Sequence, residues 1–118
     1  MSDVPISVFV FEDLNRDFVW LVRKPEFAGV ARPKLDQCQP RPISGEQFEF
    51  LIVGAEGQKV KTFPMTVVDG PSGRINVFAD KIELNSLKKR GPFTYHVIAI
   101  IDGVEKSLFK GSFGITVK

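Results

Sequence analysis

The sequence holds one cysteine, one histidine, one tryptophan and one tyrosine, and each scarcity removes a class of chemistry. A lone Cys38 cannot close an internal disulfide, so the fold has to stand on packing, as cytosolic proteins and particles assembled in the cytosol do. A single thiol and a single imidazole, His96, leave little material for a nucleophile with its base or for a closed zinc site. Charge of one sign is missing too: 16 basic against 14 acidic residues give a formal +2, too little to draw the chain onto a polyanion. No apolar run approaches the length of a membrane span, and residues 6–11 are too short for the core of a signal peptide and are followed at once by Glu12 and Asp13. Nucleic acid, membrane insertion, secretion and a bound cofactor are therefore not expected.

Phenylalanine is what the chain does have, 11 of them in 118 residues, and flat bulky side chains suit the half-buried surface of a sheet. Apolar residues recur with period two, the mark of strands with one face in a core. Residues 6–11 read as a first strand, ended by a turn over Glu12, Asp13, Leu14 and Asn15. Residues 18–23 place Phe18, Trp20 and Val22 on one face; Phe48, Phe50 and Ile52 repeat the pattern, and Gly54 to Gly57 supply a turn. Residues 59–68 offer Phe63, Met65 and Val67, with Pro64 marking an edge strand, and a turn from Asp69 to Gly73 leads to Ile75 and Val77 of a hairpin partner. Residues 80–90 fit neither period and read as a crossing between sheets with a helical turn over 84–88. Residues 93–101 are apolar on both faces, as a central strand covered on both sides would be, and Asp102-Gly103 turns the chain into 104–109, with a bulge or bend at Gly111 before a last strand over 113–117. Seven to eight short, mostly antiparallel strands in a single domain over 1–118 predict an all-β sandwich of the Ig-like kind.

Residues 24–45 break the pattern, holding Pro25, Pro33, Pro40 and Pro42 without periodicity. A stretch of that length in a compact domain is expected to serve a function, and it reads as an arm. Within it Phe27 and Val30 lie among Arg23, Lys24, Arg32, Lys34 and Arg41, a mixture of apolar anchors and charged rim suited to docking; the alternative is that Phe27 tucks under its own loop. Phe27, Val30, Arg32, Lys34 and Arg41 are thus the candidate partner-binding residues. Asp69-Gly70 and Asp102-Gly103 lack the alternating oxygen ligands of a calcium loop, and residues 70–73 lack the Gly-Lys ending of a phosphate loop; both are turns. Lys88-Lys89-Arg90 is the sole basic run, without aromatics on a matching strand to stack bases, and reads as a solvated corner.

Three stretches together resemble the Ig-like sandwich domains of phage virion proteins, in particular the amino-terminal domain of the baseplate upper protein family. They are Glu12-Asp13-Leu14 leading into 18–25 with its Lys24-Pro25 ending, the turn 69–73 leading into Arg74-Ile75-Asn76-Val77, and Gly91-Pro92-Phe93-Thr94-Tyr95 leading through Asp102-Gly103 to Gly111-Ser112-Phe113. They span about two thirds of the chain. The family places Asp-Gly soon after its Lys-Pro, whereas Pro25-Glu26-Phe27 opens the arm here, and the family domain usually heads a longer protein. The resemblance implies a non-enzymatic virion accessory protein of tail, baseplate, collar or head decoration, assembled in the host cytoplasm. Its expected partners are other virion proteins and further copies of itself, reached through the arm and a strand edge. The second expectation is a ligand- or carbohydrate-binding module, which lacks its usual instrument here because Trp20, the sole indole, sits mid-strand with the parity of a core residue.

Overall fold

A computed structural model of the chain describes residues 5–87 and 92–116. Among these residues nine strands and one short α-helix follow in the order β1 Ile6–Phe9, β2 Leu14–Val19, β3 Leu21–Arg23, β4 Cys38–Pro40, β5 Gln47–Gly54, β6 Lys59–Asp69, β7 Arg74–Ala79, α1 Lys81–Asn85, β8 Phe93–Ile101 and β9 Val104–Thr116. Seven strands form one hydrogen-bonded array in the order β1-β9-β8-β5-β6-β7-β2, while β3 and β4 make a separate two-stranded ladder. The pairings are antiparallel except for β1, which lies parallel to the end of β9 from Ile6 against Phe113 to Phe9 against Thr116.

The array doubles over on itself at β6. Its first half pairs with β5, ending at Pro64 opposite Glu49, and its second half, from Met65 opposite Val77, pairs with β7. Proline has no N–H to give, so it sits where the strand leaves one ladder for the other. The sequence expectation of an edge strand is thereby refined: β6 is the last strand of each layer and the corner between them. Phe18 of β2 shows that the layers face each other, its ring lying 5.5 Å from Phe109, 6.1 Å from Tyr95 and 6.5 Å from Phe50 across the core. The fold is an all-β, sandwich-like one, as the alternation predicts.

Two apolar clusters fill the space between layers. One gathers Phe50, Ile52, Phe63, Val77, Phe93, Tyr95, Val97 and Phe113 among its members, and the other Trp20, Ile43, Phe48, Ile75, Ala99 and Leu108; Met65 and Phe109 pack against both and join them. Phe50 is the hub, stacked on Tyr95 at 5.2 Å and edge-on to Phe113 at 6.0 Å. Such ring pairs add about 0.5–1.5 kcal/mol each beyond the area they bury.

Several local expectations are corrected. β1 stops at Phe9 rather than at residue 11, because Phe11 adopts φ 70 and the Glu12 N–H closes a turn on the Phe9 carbonyl. Leu14 and Asn15, expected in that turn, already belong to β2, where Leu14 is buried opposite Ala79. The helical turn begins at Lys81, three residues early, since Asp80 caps it by accepting from the Ile82 N–H at 2.7 Å. The two closing strands are one, β9, and its irregularity lies at Leu108 rather than Gly111: Val97 opposes Phe109 and Ile98 opposes Ser107, leaving Leu108 as the extra residue. That insertion lets Leu108 and Phe109, neighbours in sequence, both serve the core. On the outer side of β8, Leu51 and Ile98 are each only 7% exposed, so that side is shielded as expected, but they lie beside His96 and Ser107 in a shallow depression and neither joins a core cluster. Lys88-Lys89-Arg90 lies outside the described residues.

Candidate docking surfaces

The arm is not the structureless excursion its prolines suggest. Two single 3-10 turns, Pro25–Phe27 and Leu35–Gln37, punctuate it, and β4 pairs with β3 from Leu21 opposite Pro40 to Arg23 opposite Cys38. The first half folds on itself: the Ala28 and Val30 N–H groups donate to the carbonyls of Pro25 and Phe27, and the Arg23 guanidinium donates to the Ala28 carbonyl at 2.7 Å. Phe27 and Val30 are half-buried as a result, so a free apolar anchor at Phe27 is only partly realised. Arg32 and Lys34 are exposed, and next to them Leu35, which sequence reasoning passed over, stands 77% exposed.

Arg41 belongs to the body rather than to a free rim. Its guanidinium lies 4.1 Å from the centre of the Trp20 ring and pairs with Glu46 at 2.6 Å, while its N–H donates to the Trp20 carbonyl at 2.8 Å. A cation over an indole contributes about 0.5–2 kcal/mol according to how far it is desolvated. Ile43, two residues on, is completely buried and donates its N–H to the Gly70 carbonyl. The base of the arm is therefore bolted across the β6–β7 turn, and its tip carries Val30, Arg32, Lys34 and Leu35.

Gly73 is the pin of this joint. It sits at φ +69, accepts the Trp20 N–H at 2.9 Å, and leaves a would-be Cβ only 2.8 Å from the Arg41 carbonyl oxygen and 2.9 Å from that of Trp20. Only glycine brings three chain segments that close. The sequence signal was the turn 69–73; the proximity to Arg41 had none.

Trp20 itself is 9% exposed, set edge-on to Phe48 at 6.1 Å and flanked on its other contacts by Arg41 and by Lys106, whose ammonium lies 5.8 Å from the ring centre. It is a packed core residue, as its parity in the strand predicts. Cys38 and His96 fall on different elements: Cys38 is half-buried on β4, and His96 is on β8 with its Nδ1 3.4 Å from the Ser107 hydroxyl. Among the described residues no group of three or more His, Cys, Asp or Glu gathers to hold a metal, and no helix is long and apolar enough to cross a membrane. Asp102 at φ 52 and Gly103 at φ 76 form the two-residue turn between β8 and β9, and the Ser72 N–H donates to Asp69 across the β6–β7 turn, as turn chemistry predicts.

Comparison with protein families and with curated proteins gives no match for this chain.

Proposed function

We propose that the chain is a non-enzymatic structural protein of a phage particle, an Ig-like sandwich that docks on a larger virion scaffold through its arm. The observation that carries the reading is the division of labour in residues 24–45. Arg41, Ile43 and the β3–β4 ladder fix the base to the sandwich, while Arg32, Lys34 and Leu35 are held out to solvent. An anchored arm with an apolar tip and a basic rim spends little conformational entropy on binding, because its base is ordered beforehand. The elongated body, 47 by 27 by 27 Å, suits a spacer or decoration mounted by one end. The resemblance of 12–25, 69–77 and 91–113 to baseplate upper protein domains supplies the class of scaffold.

The test is mass spectrometry of density-purified phage particles from the source of the gene, with and without the substitutions Arg32→Glu, Lys34→Glu and Leu35→Ser together. The expected result is the chain at a fixed copy number in wild-type particles and its loss from the variant ones, with the circular dichroism spectrum of the variant unchanged. Wild-type particles without the chain would defeat the proposal, and full incorporation of the triple variant would defeat the arm's part in it.

A further inference from the structure

Among the described residues the seven-stranded array does not close, since β1 and β2 end it and do not pair with each other. β1 covers the outer edge of β9 only from Phe113 to Thr116. Among the described residues, β9 over 104–112 has β8 on one side and no strand on the other. At about 3.3 Å per residue this open edge runs for roughly 30 Å.

The edge borders a groove whose far wall is β2 and β3. Two depressions lie along it, of about 260 and 640 Å³. The first is lined by Ile6 and Phe18 among others, the second by Trp20, Leu21, Cys38 and Leu108, and both share Val19 and Phe109, so they lie side by side along one trough. The arm overhangs its wider end through Pro33 and Cys38.

Backbone polarity at this edge follows from the turn. Asp102 and Gly103 form a two-residue loop, so Ile101 and Val104 are its hydrogen-bonded closing pair, and alternation turns the N–H and C=O groups of Glu105 and Ser107 away from β8. Lys106, between them, pairs with Ala99 and directs its ammonium to the Trp20 ring at the wide end of the trough. Among the described residues Arg41 is neutralised by Glu46, whereas Lys106 has no acidic group within ion-pair distance. The trough therefore offers unpaired backbone, an apolar floor and, at its wide end, the uncompensated Lys106, while Arg16 and Asp17 stand together at the narrow end; the wide end is complementary to an extended chain that carries a carboxylate.

We propose that residues 104–112 of β9 take up an extended segment of a partner polypeptide as an added strand, its alternate apolar side chains entering the trough and an acidic side chain meeting Lys106. Main-chain hydrogen bonds supply affinity in such pairing, and the pockets for alternate side chains supply selectivity. β1 already shows that this edge of β9 accepts a strand. The proposal deepens the docking role above. It is read on the purified chain rather than in particles, so either can fail alone.

The probe is a nine-residue peptide of alternating threonine and valine with one interior valine replaced by glutamate, and a twin with lysine there. Titration of the full chain is followed by calorimetry and by amide hydrogen exchange. The expected result is selective protection of the Glu105 and Ser107 amides, preference for the glutamate peptide, and reversal of that preference in Lys106→Glu by about tenfold or more, the scale of exchanging one attraction for one repulsion. Glu105→Pro, which removes a donor on the free side only, should abolish binding of both peptides. Absence of binding at millimolar peptide, protection elsewhere, or an unaltered preference in Lys106→Glu would overturn the proposal. So would protection of the same amides in concentrated protein without peptide together with a dimer mass, which would give the edge to a second copy instead.

Discussion

Replacing Gly73 by alanine tests whether the arm is bolted to the sandwich or only lies beside it. Two costs arise. Alanine at φ +69 incurs about 1 kcal/mol of left-handed strain, which any substitution at a positive-φ glycine meets. In addition the new Cβ would stand 2.8 and 2.9 Å from two carbonyl oxygens, those of Arg41 and Trp20, which belong to backbone and have to part by several tenths of an ångström. Overpacking of this kind costs about 1–3 kcal/mol. Gly103→Ala is the control, since Gly103 has φ +76 and nothing within 4 Å of its would-be Cβ, so it carries the strain without the clash. The entropy that alanine removes from the unfolded chain is common to both and cancels in the difference. With about 2.1 cal/mol/K of unfolding entropy per residue, 1 kcal/mol is worth roughly 4 °C here, so Gly73→Ala should melt roughly 4–12 °C below Gly103→Ala. Thermal unfolding followed by circular dichroism measures the difference, and amide exchange should show the Arg41 and Trp20 N–H groups opening faster in the Gly73 variant. Equal melting temperatures within 1–2 °C (roughly 0.5 kcal/mol) would refute the three-way joint and, with it, the anchored base of the arm.

Phe50→Ala should destabilise the domain by about 3–5 kcal/mol in urea unfolding, because a completely buried ring stacked on Tyr95 and edge-on to Phe113 leaves a cavity in the larger cluster. Arg41→Ala removes the cation over Trp20 and the Glu46 pair together; a loss of about 1–2 kcal/mol is expected, and Arg41→Lys should recover only part of it, since an ammonium lacks the flat face that covers an indole. Asp80→Ala, which strips the cap from the Ile82 N–H, should cost about 1 kcal/mol, measured by the shift in denaturant midpoint at constant slope. Arg32→Glu with Leu35→Ser should leave the melting temperature within about 2 °C of wild type, as exposed positions of the arm tip do, and a larger drop would mean that the tip packs on the body.

Alternation alone determined the β class, the number of strands to within one or two, and the inward set Phe18, Trp20, Phe48, Phe50, Phe63, Ile75 and Val77, because a period of two commits every second side chain to one layer whatever the strand order. Turn chemistry at Asp69 to Gly73 and at Asp102-Gly103 was equally legible, since the positive φ of Gly73, Asp102 and Gly103 is a local demand on local residues. Partnership across the chain was not. That β1 lies parallel on β9, that β6 turns a corner at Pro64, that Leu108 rather than Gly111 is the extra residue, and that Arg41 spans from arm to Trp20 all depend on contacts between residues distant in sequence. Prolines made residues 24–45 look free, because local signals register the missing periodicity and cannot register the β3–β4 ladder or the buried Ile43 that hold them down. The open edge of β9 beside its trough is likewise a property of the assembled array: which strand lacks a neighbour is decided only when all the others have found theirs.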